Sequence, residues 1–105
     1  MNLKIIWSDF AIKQLDEIFI YYQKHIGTQR ANKIIFNILH QTKNLETKPY
    51  IGQVEHLLGS RKHTYRYLIV AIYKIVYRVD ETEKRIKIVD IFDTRQNPIK
   101  LTRVK

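Results

Sequence analysis

Two stretches in the first half of the chain place apolar residues at helical spacing. Residues 8–25 and residues 28–45 each carry one apolar stripe, formed by Ala11, Leu15, Ile18 and Tyr22 in the first and by Ala31, Ile34, Ile35, Ile38 and Leu45 in the second. Since positions three and four apart share one face of an α-helix, both stretches are predicted to be amphipathic helices. Ser8 and Thr28 are predicted to cap them. Gly27 between them predicts the end of the first helix and a tight antiparallel hairpin.

The other elements have the composition of β-strands. Residues 3–7, 64–70, 73–79 and 85–92 are rich in Val, Ile and aromatic side chains, and the polar residues 80–84 predict a turn before the last of them. Apolar and polar positions alternate along residues 73–79, with Tyr73, Ile75, Tyr77 and Val79 on one side and Lys74, Val76 and Arg78 on the other. This alternation predicts a sheet with one face packed on the helices and the other in water.

The order of these elements predicts an α+β fold of the form β-α-α-β-β-β. We expect the helical hairpin to pack on one face of an antiparallel sheet, with the first strand beside one of the later strands. Pro49, Gly52 and Gly59 indicate that residues 46–60 form a loop. At 105 residues the chain is predicted to be one domain, 1–105, that ends in a basic tail.

Several classes of function find no support in the composition. With no cysteine, the chain has no disulfide, thiol nucleophile or cysteine-ligated zinc. The four histidines lack metal-ligand spacing, and the sequence has neither a Gly-rich phosphate loop nor a Gly-x-Ser-x-Gly elbow, so we predict no metal and no cofactor. No apolar run approaches the roughly 20 residues of a membrane span, and the first residues do not form a signal peptide. A cytoplasmic protein with no membrane partner is therefore expected.

The net charge of +9 is concentrated in the second half of the chain. Residues 1–59 contain seven basic and five acidic side chains, whereas residues 60–105 contain twelve basic and five acidic ones. A basic surface of this kind is typical of proteins that bind nucleic acid or an acidic partner, although net charge also serves solubility.

The β-hairpin of residues 64–79 carries the candidate chemistry. If residues 70–72 form a three-residue loop, Arg66 and Lys74 share the face that is exposed to water, whereas a two-residue loop separates them. Because the sequence lacks the Asn-Gly or Asp-Gly of a tight turn, we favour the longer loop. Arg95, just after the third strand, is expected at the rim of the same surface. Such cations could bind phosphate oxygens or could simply be solvated.

Several segments, taken in order, resemble the RelE/ParE superfamily of bacterial toxins. They are Trp7-Ser8 before the first helix and residues 52–55 (GQVE), 65–68 (YRYL), 73–79 (YKIVYRV) and 91–98 (IFDTRQNP). The resemblance covers essentially the whole chain. It implies a type II toxin–antitoxin module, in which the C-terminal segment of a small cognate antitoxin holds the toxin inactive.

The RelE-like branch of this superfamily implies a metal-independent endoribonuclease that cuts mRNA on the ribosome. Carried over by motif, Glu55 matches the loop glutamate, Arg66 and Lys74 match two basic strand positions, and Arg95 matches a basic residue after the last strand. Leu68 stands where some relatives have a second lysine, and Lys74 replaces a usual arginine. No His or Tyr follows Arg95, so the expected proton donor is missing.

The ParE-like branch implies a poison of DNA gyrase, and we favour this branch because a long helical hairpin is typical of it. Glu55 then has a structural role, such as pairing with a strand arginine. A function of another class stays open, namely a non-toxic RNA-binding module that uses the same basic sheet. An acidic protein encoded by the neighbouring reading frame would distinguish the toxin from that module.

Overall fold

Two helices lie across one face of a five-stranded sheet in the computed structural model, which describes residues 2–104. The elements, in chain order, are β1 (Lys4–Trp7), α1 (Asp9–Ile26), α2 (Thr28–Lys43), β2 (Gln53–Val54), β3 (Tyr65–Val70), β4 (Tyr73–Asp80) and β5 (Arg85–Asp93), with 3₁₀ helices at Asn44–Glu46, His56–Leu58 and Pro98–Arg103. Met1 and Lys105, the ends of the predicted domain 1–105, lie outside the described residues. The α+β class predicted from the sequence is confirmed.

The helical hairpin turns at one glycine. Ser8 caps α1 as predicted, since its Oγ accepts a hydrogen bond of 3.1 Å from the N–H of Ala11. Gly27 ends α1 with a φ of 92° and is also the residue that precedes α2. The predicted capping role of Thr28 is wrong, because Thr28 is already the first residue of α2 and makes no capping bond. Its hydroxyl instead accepts a hydrogen bond of 3.3 Å from Gln23.

The sheet has the order β1-β5-β4-β3-β2. Strands β3, β4 and β5 form the predicted antiparallel meander, and β1 joins its edge as expected. However, β1 runs parallel to β5, so the sheet is mixed rather than wholly antiparallel. Both helices lie in the connection that follows β1. Because no tight turn joins β1 to a neighbouring strand, local sequence does not fix its direction.

Part of the segment predicted as a loop, residues 46–60, is strand. Gln53 and Val54 form β2, which pairs with the outer edge of β3, and the next N–H, that of Glu55, bonds the carbonyl of Tyr65 at 2.8 Å. The pairing is two residues long because the chain turns at Glu55 into the 3₁₀ helix His56–Leu58. A strand this short lies below the length that a periodicity argument can detect.

The helix-facing side of the sheet forms the larger apolar core. As predicted, Tyr73, Ile75 and Tyr77 of β4 lie under the helices, where they pack with Ile86, Ile88 and Ile91 of β5 and with Ala11 and Ile38 of the helices.

The opposite face is also largely buried, which corrects the expectation of a face in water. Val76 and Phe92 of the sheet pack there with Leu58, Leu101 and Val104. The last two belong to the C-terminal segment, where the 3₁₀ helix Pro98–Arg103 replaces the predicted basic tail. Because the apolar residues of this segment are sparse and follow no strand or helix period, the sequence pattern did not predict that it covers the sheet.

Truncation of one buried and one exposed apolar residue on α2 should change the free energy of unfolding by different amounts. Ile38 is 1% exposed within the larger core, whereas Phe36 on the same helix is 70% exposed. We expect Ile38→Ala to lower the free energy of unfolding by about 2–5 kcal/mol because it leaves a cavity. Phe36→Ala should change it by less than about 0.5 kcal/mol. Urea denaturation measures both, and equal losses would contradict this assignment of faces.

Candidate functional site

The turn between β3 and β4 contains two residues, Ala71 and Ile72, so the favoured three-residue loop is wrong. Val70 lies opposite Tyr73, which places the apolar residues of both strands on the helix-facing side. Ala71 adopts a φ of 54°, a conformation that glycine or asparagine would signal in the sequence but alanine does not. The N–H and hydroxyl of Thr94 both donate to the carbonyl of Ile72, at 2.8 and 2.7 Å, and hold the turn from β5.

This register separates two of the residues that were expected to act together. Arg66 lies opposite Tyr77 and therefore starts from the helix-facing side of β3. Lys74 lies opposite Ile69 on the other side of the sheet. The predicted common surface of Arg66 and Lys74 does not exist.

Glu55 and Lys74 form a close ion pair on the side away from the helices. Lys74 Nζ lies 2.5 Å from Glu55 Oε2, and the Glu55 side chain is 4% exposed. The other carboxylate oxygen accepts a hydrogen bond of 3.2 Å from the N–H of Leu57. Lys74 also lies over the ring of Tyr67, 4.3 Å from its centroid. The pair therefore fastens the 3₁₀ helix His56–Leu58 to β4, with a strand lysine in place of the expected arginine.

Arg66 contributes to a second set of contacts, centred on Gly52. Its Nη1 donates to the Gly52 carbonyl at 2.9 Å, while the Gly52 N–H donates to the Tyr77 hydroxyl at 2.9 Å. The Tyr77 hydroxyl donates in turn to the carbonyl of Pro49 at 2.8 Å, and burial raises the pKa of this phenol. A Cβ at position 52 would lie 2.5 Å from Tyr77 Oη, so only glycine fits here. Arg66 thus anchors the loop before β2.

Arg95 lies at a third place, beside α1. Its guanidinium makes a two-point contact with Asp93, with Nη2 2.8 Å from Oδ2 and Nε 3.1 Å from Oδ1, and its side chain is 64% exposed. The hydrogen bonds from Arg95 lower the pKa of the Asp93 carboxyl. Both residues border a cleft that also contains Glu17 and Tyr21 of α1. The four candidate residues are therefore divided among three places, and only Glu55 and Lys74 are in contact.

A fifth charged group, Asp90, was not predicted. It is fully buried in the middle of β5, and both of its oxygens accept hydrogen bonds of 2.9 Å from Arg103. The Arg103 guanidinium also lies over the rings of Phe10 and Phe92, 5.1 and 5.3 Å from their centroids. This contact fixes the C-terminal 3₁₀ helix on the sheet. One feature of the sequence indicates this contact, namely the carboxylate of Asp90 inside an apolar strand. A buried carboxylate requires a partner.

Within residues 2–104, no three His, Cys, Asp or Glu side chains are arranged to hold a metal ion. None of the helices in the same part of the chain has the length and apolarity needed to cross a membrane.

A family model described as "ParE toxin of type II toxin-antitoxin system, parDE" matches residues 5–98. The chain belongs to the ParE toxin family. Among solved structures, the protein described as "Chromosomal ParDE TA system from P. aeruginosa" is similar over 87% of this chain and 95% of its own, with 25% identity and a TM-score of 0.71. A search of curated proteins gives no match.

Membership of the ParE toxin family confirms the superfamily inferred from the motifs and supports the ParE-like branch over the RelE-like one. It also implies that this ParE-family toxin has a cognate antitoxin as its partner.

The contact between the fully buried Asp90 and Arg103, which is 29% exposed, is expected to be a major stabilising contact of this ParE-family toxin. Asp90→Asn should lower the free energy of unfolding by about 2 kcal/mol, because it weakens the two charge-assisted hydrogen bonds that the buried carboxylate accepts. Asp80→Asn is the matched control. Its carboxylate lies 4.0 Å from Arg78 and is 30% exposed, and exposed pairs contribute about 1 kcal/mol or less. Similar losses for both variants in urea would contradict the role of Asp90.

The contact between Arg95 and Asp93 predicts that substitution of Arg95 changes the pKa of the Asp93 carboxyl. Because Arg95 lowers the Asp93 pKa in the folded state, the pair stabilises the fold above the ordinary carboxyl pKa, and this contribution is lost as the pH falls through the lowered value. Arg95→Gln should therefore raise the Asp93 pKa and weaken the loss of stability on acidification. Carboxyl chemical shifts measured against pH report this, with Lys100→Gln as the control. An unchanged Asp93 pKa would refute the assignment.

Proposed function

We propose that this ParE-family toxin inhibits bacterial growth by poisoning DNA gyrase, and that its cognate antitoxin holds it inactive. The observation that carries the choice of target is the separation of Glu55, Arg66, Lys74 and Arg95, the four residues of the RelE-like nuclease set. The ParE family match supports the same choice.

RNA cleavage without a metal requires its catalytic groups to meet at one phosphate. A base must take the 2′-hydroxyl proton, cations must stabilise the phosphorane, and an acid must protonate the leaving oxygen. Here the Glu55 carboxylate is buried against Lys74 and the N–H of Leu57. Arg66 binds the Gly52 carbonyl and Arg95 binds Asp93. The base and two of the cations are thus committed to separate contacts, and the sequence supplies no His or Tyr after Arg95 as the acid.

Glu55 and Lys74 have a structural role in this proposal. Their pair, together with the N–H of Leu57, holds the segment after β2 on the sheet. Arg66 performs the same task before β2 through Gly52. None of the three then acts on a substrate, and Arg95 is an exposed cation beside α1.

The antitoxin is proposed to be an acidic, amphipathic segment that binds in the groove between the start of α1 and the sheet. This groove of about 410 Å³ is lined by Phe10, Val89 and Val104, with Lys87 and Arg103 at its border. Phe10, which is 39% exposed, can anchor a partner, and Lys87 favours acidic residues beside this anchor. The gyrase target further implies that the protein acts in the bacterial cytoplasm.

Two assays run in parallel test the target. Purified protein is added to gyrase with relaxed plasmid, and separately to a translation mixture programmed with a defined mRNA. We expect loss of supercoiling in the first assay and intact mRNA in the second. The antitoxin encoded by the neighbouring reading frame should restore supercoiling, and its association should slow as salt rises because opposite charges speed the encounter.

Glu55→Gln and Arg66→Ala serve as the matched variants. We expect folded preparations of both to inhibit gyrase as the unmodified protein does. Rapid cutting of mRNA that either substitution abolishes, together with unaffected supercoiling, would overturn the proposal and make Glu55 the general base.

A further inference from the structure

Basic side chains from three separate segments meet on the sheet face that points away from the helices. Lys62 and His63 precede β3, Arg78 belongs to β4 and Lys87 to β5, and together they line one hollow of about 340 Å³. We refer to these four residues as the basic surface. Its floor is formed by the buried side chains of Tyr65 and Val89.

The basic surface places like charges against each other. Arg78 and Lys87 are direct neighbours across β4 and β5 and lie on the same face. Like charges directly opposite each other destabilise a sheet. Among residues 2–104, no carboxylate lies within 4.0 Å of the Lys62 or Lys87 ammonium, and Arg78 reaches only Asp80 at 4.0 Å. The fold thus leaves positive charge here that its own carboxylates do not neutralise.

A second hollow extends the basic surface around the open end of the hairpin. It measures about 530 Å³ and shares Lys62, His63 and Arg78 with the first hollow. Its lining also includes Asp80, Glu81 and Arg66, whose guanidinium is held by the Gly52 carbonyl. The two hollows are open and adjacent, so Lys62, Arg78 and Lys87 form a strip rather than a pocket for one small anion. A strip of cations matches a polymer that repeats its negative charge at short intervals.

We propose that the basic surface binds the phosphodiester backbone of duplex DNA. A peptide partner depends on exposed apolar anchors, and the apolar side chains on the floor of the first hollow, Tyr65 and Val89, are buried. The choice of duplex DNA among polyanions rests on the proposed gyrase function, because gyrase presents duplex DNA to a bound toxin. The surface would then hold the DNA of the complex while other parts of the toxin contact the enzyme.

Salt titration of DNA binding tests this inference in the absence of gyrase. The purified protein is titrated into a short fluorescent duplex of arbitrary sequence at several salt concentrations, and anisotropy gives the affinity. Each neutralised phosphate contributes about −0.9 to the slope of log affinity against log salt. The double variant Lys62→Gln/Lys87→Gln should therefore bind more weakly and lose about two units of slope.

The matched control is Lys13→Gln/Lys24→Gln, which removes the same charge from exposed positions of α1. We expect its slope to change by much less than one unit. Thermal unfolding checks that both variants fold, and the basic-surface variant should melt no lower than the unmodified protein because it loses the repulsion between Arg78 and Lys87.

Equal effects of the two double variants, absence of duplex binding, or stronger binding to single-stranded RNA would each overturn the inference. The supercoiling assay separates it from the proposed function. Gyrase inhibition without DNA binding overturns this inference alone, whereas DNA binding without gyrase inhibition overturns the gyrase proposal and, with it, the reason for choosing duplex DNA.

Discussion

The register of the β3–β4 hairpin decides which side chains of this protein can act together. A turn of two residues, Ala71 and Ile72, aligns the apolar positions of both strands under the helices. Because side chains alternate across a strand, a shift of one residue would move one of these apolar sets to the other face of the sheet, away from the helices. The same register sends Arg66 and Lys74 to opposite sides of the sheet. The burial of these apolar side chains under the helices therefore also determines on which face each charged residue lies.

Both faces of the sheet are buried, yet they are covered by different means. The helical hairpin covers one face with a broad apolar stripe, whereas a six-residue 3₁₀ helix covers the other with Leu101 and the adjoining Val104. So small an apolar contribution needs a specific anchor, which Arg103 supplies through its two hydrogen bonds to the buried Asp90. The C-terminal segment is thus a structural layer of the fold and also borders the groove proposed for the antitoxin.

The cationic side chains of this ParE-family toxin fall into two groups, those that pair with carboxylates and those of the basic surface. Carboxylates neutralise Lys74 and Arg103 at close range, and these contacts fix segments that have little apolar surface of their own. In the basic surface, neither Lys62 nor Lys87 has a carboxylate within 4.0 Å among residues 2–104, and Lys87 faces Arg78 across the sheet. In the proposed interaction, the phosphates of bound DNA offset the repulsion between these two cations.

The sequence by itself determined the two helices, the four longer strands and the packing of the helical hairpin on the sheet, because periods of 3.6 and 2 residues record which face of each element meets the larger core. It also determined the family, through the order and spacing of weak motifs such as those around Glu55 and Arg95. The tertiary structure alone decided the direction of β1, the two-residue turn at Ala71, the pairing of β2 and the covering of the second face by Leu101. Each of these depends on contacts between residues far apart in the chain, which leave no local period. For the same reason, the four residues that were predicted from the sequence to form one site lie at three separate places in the structure.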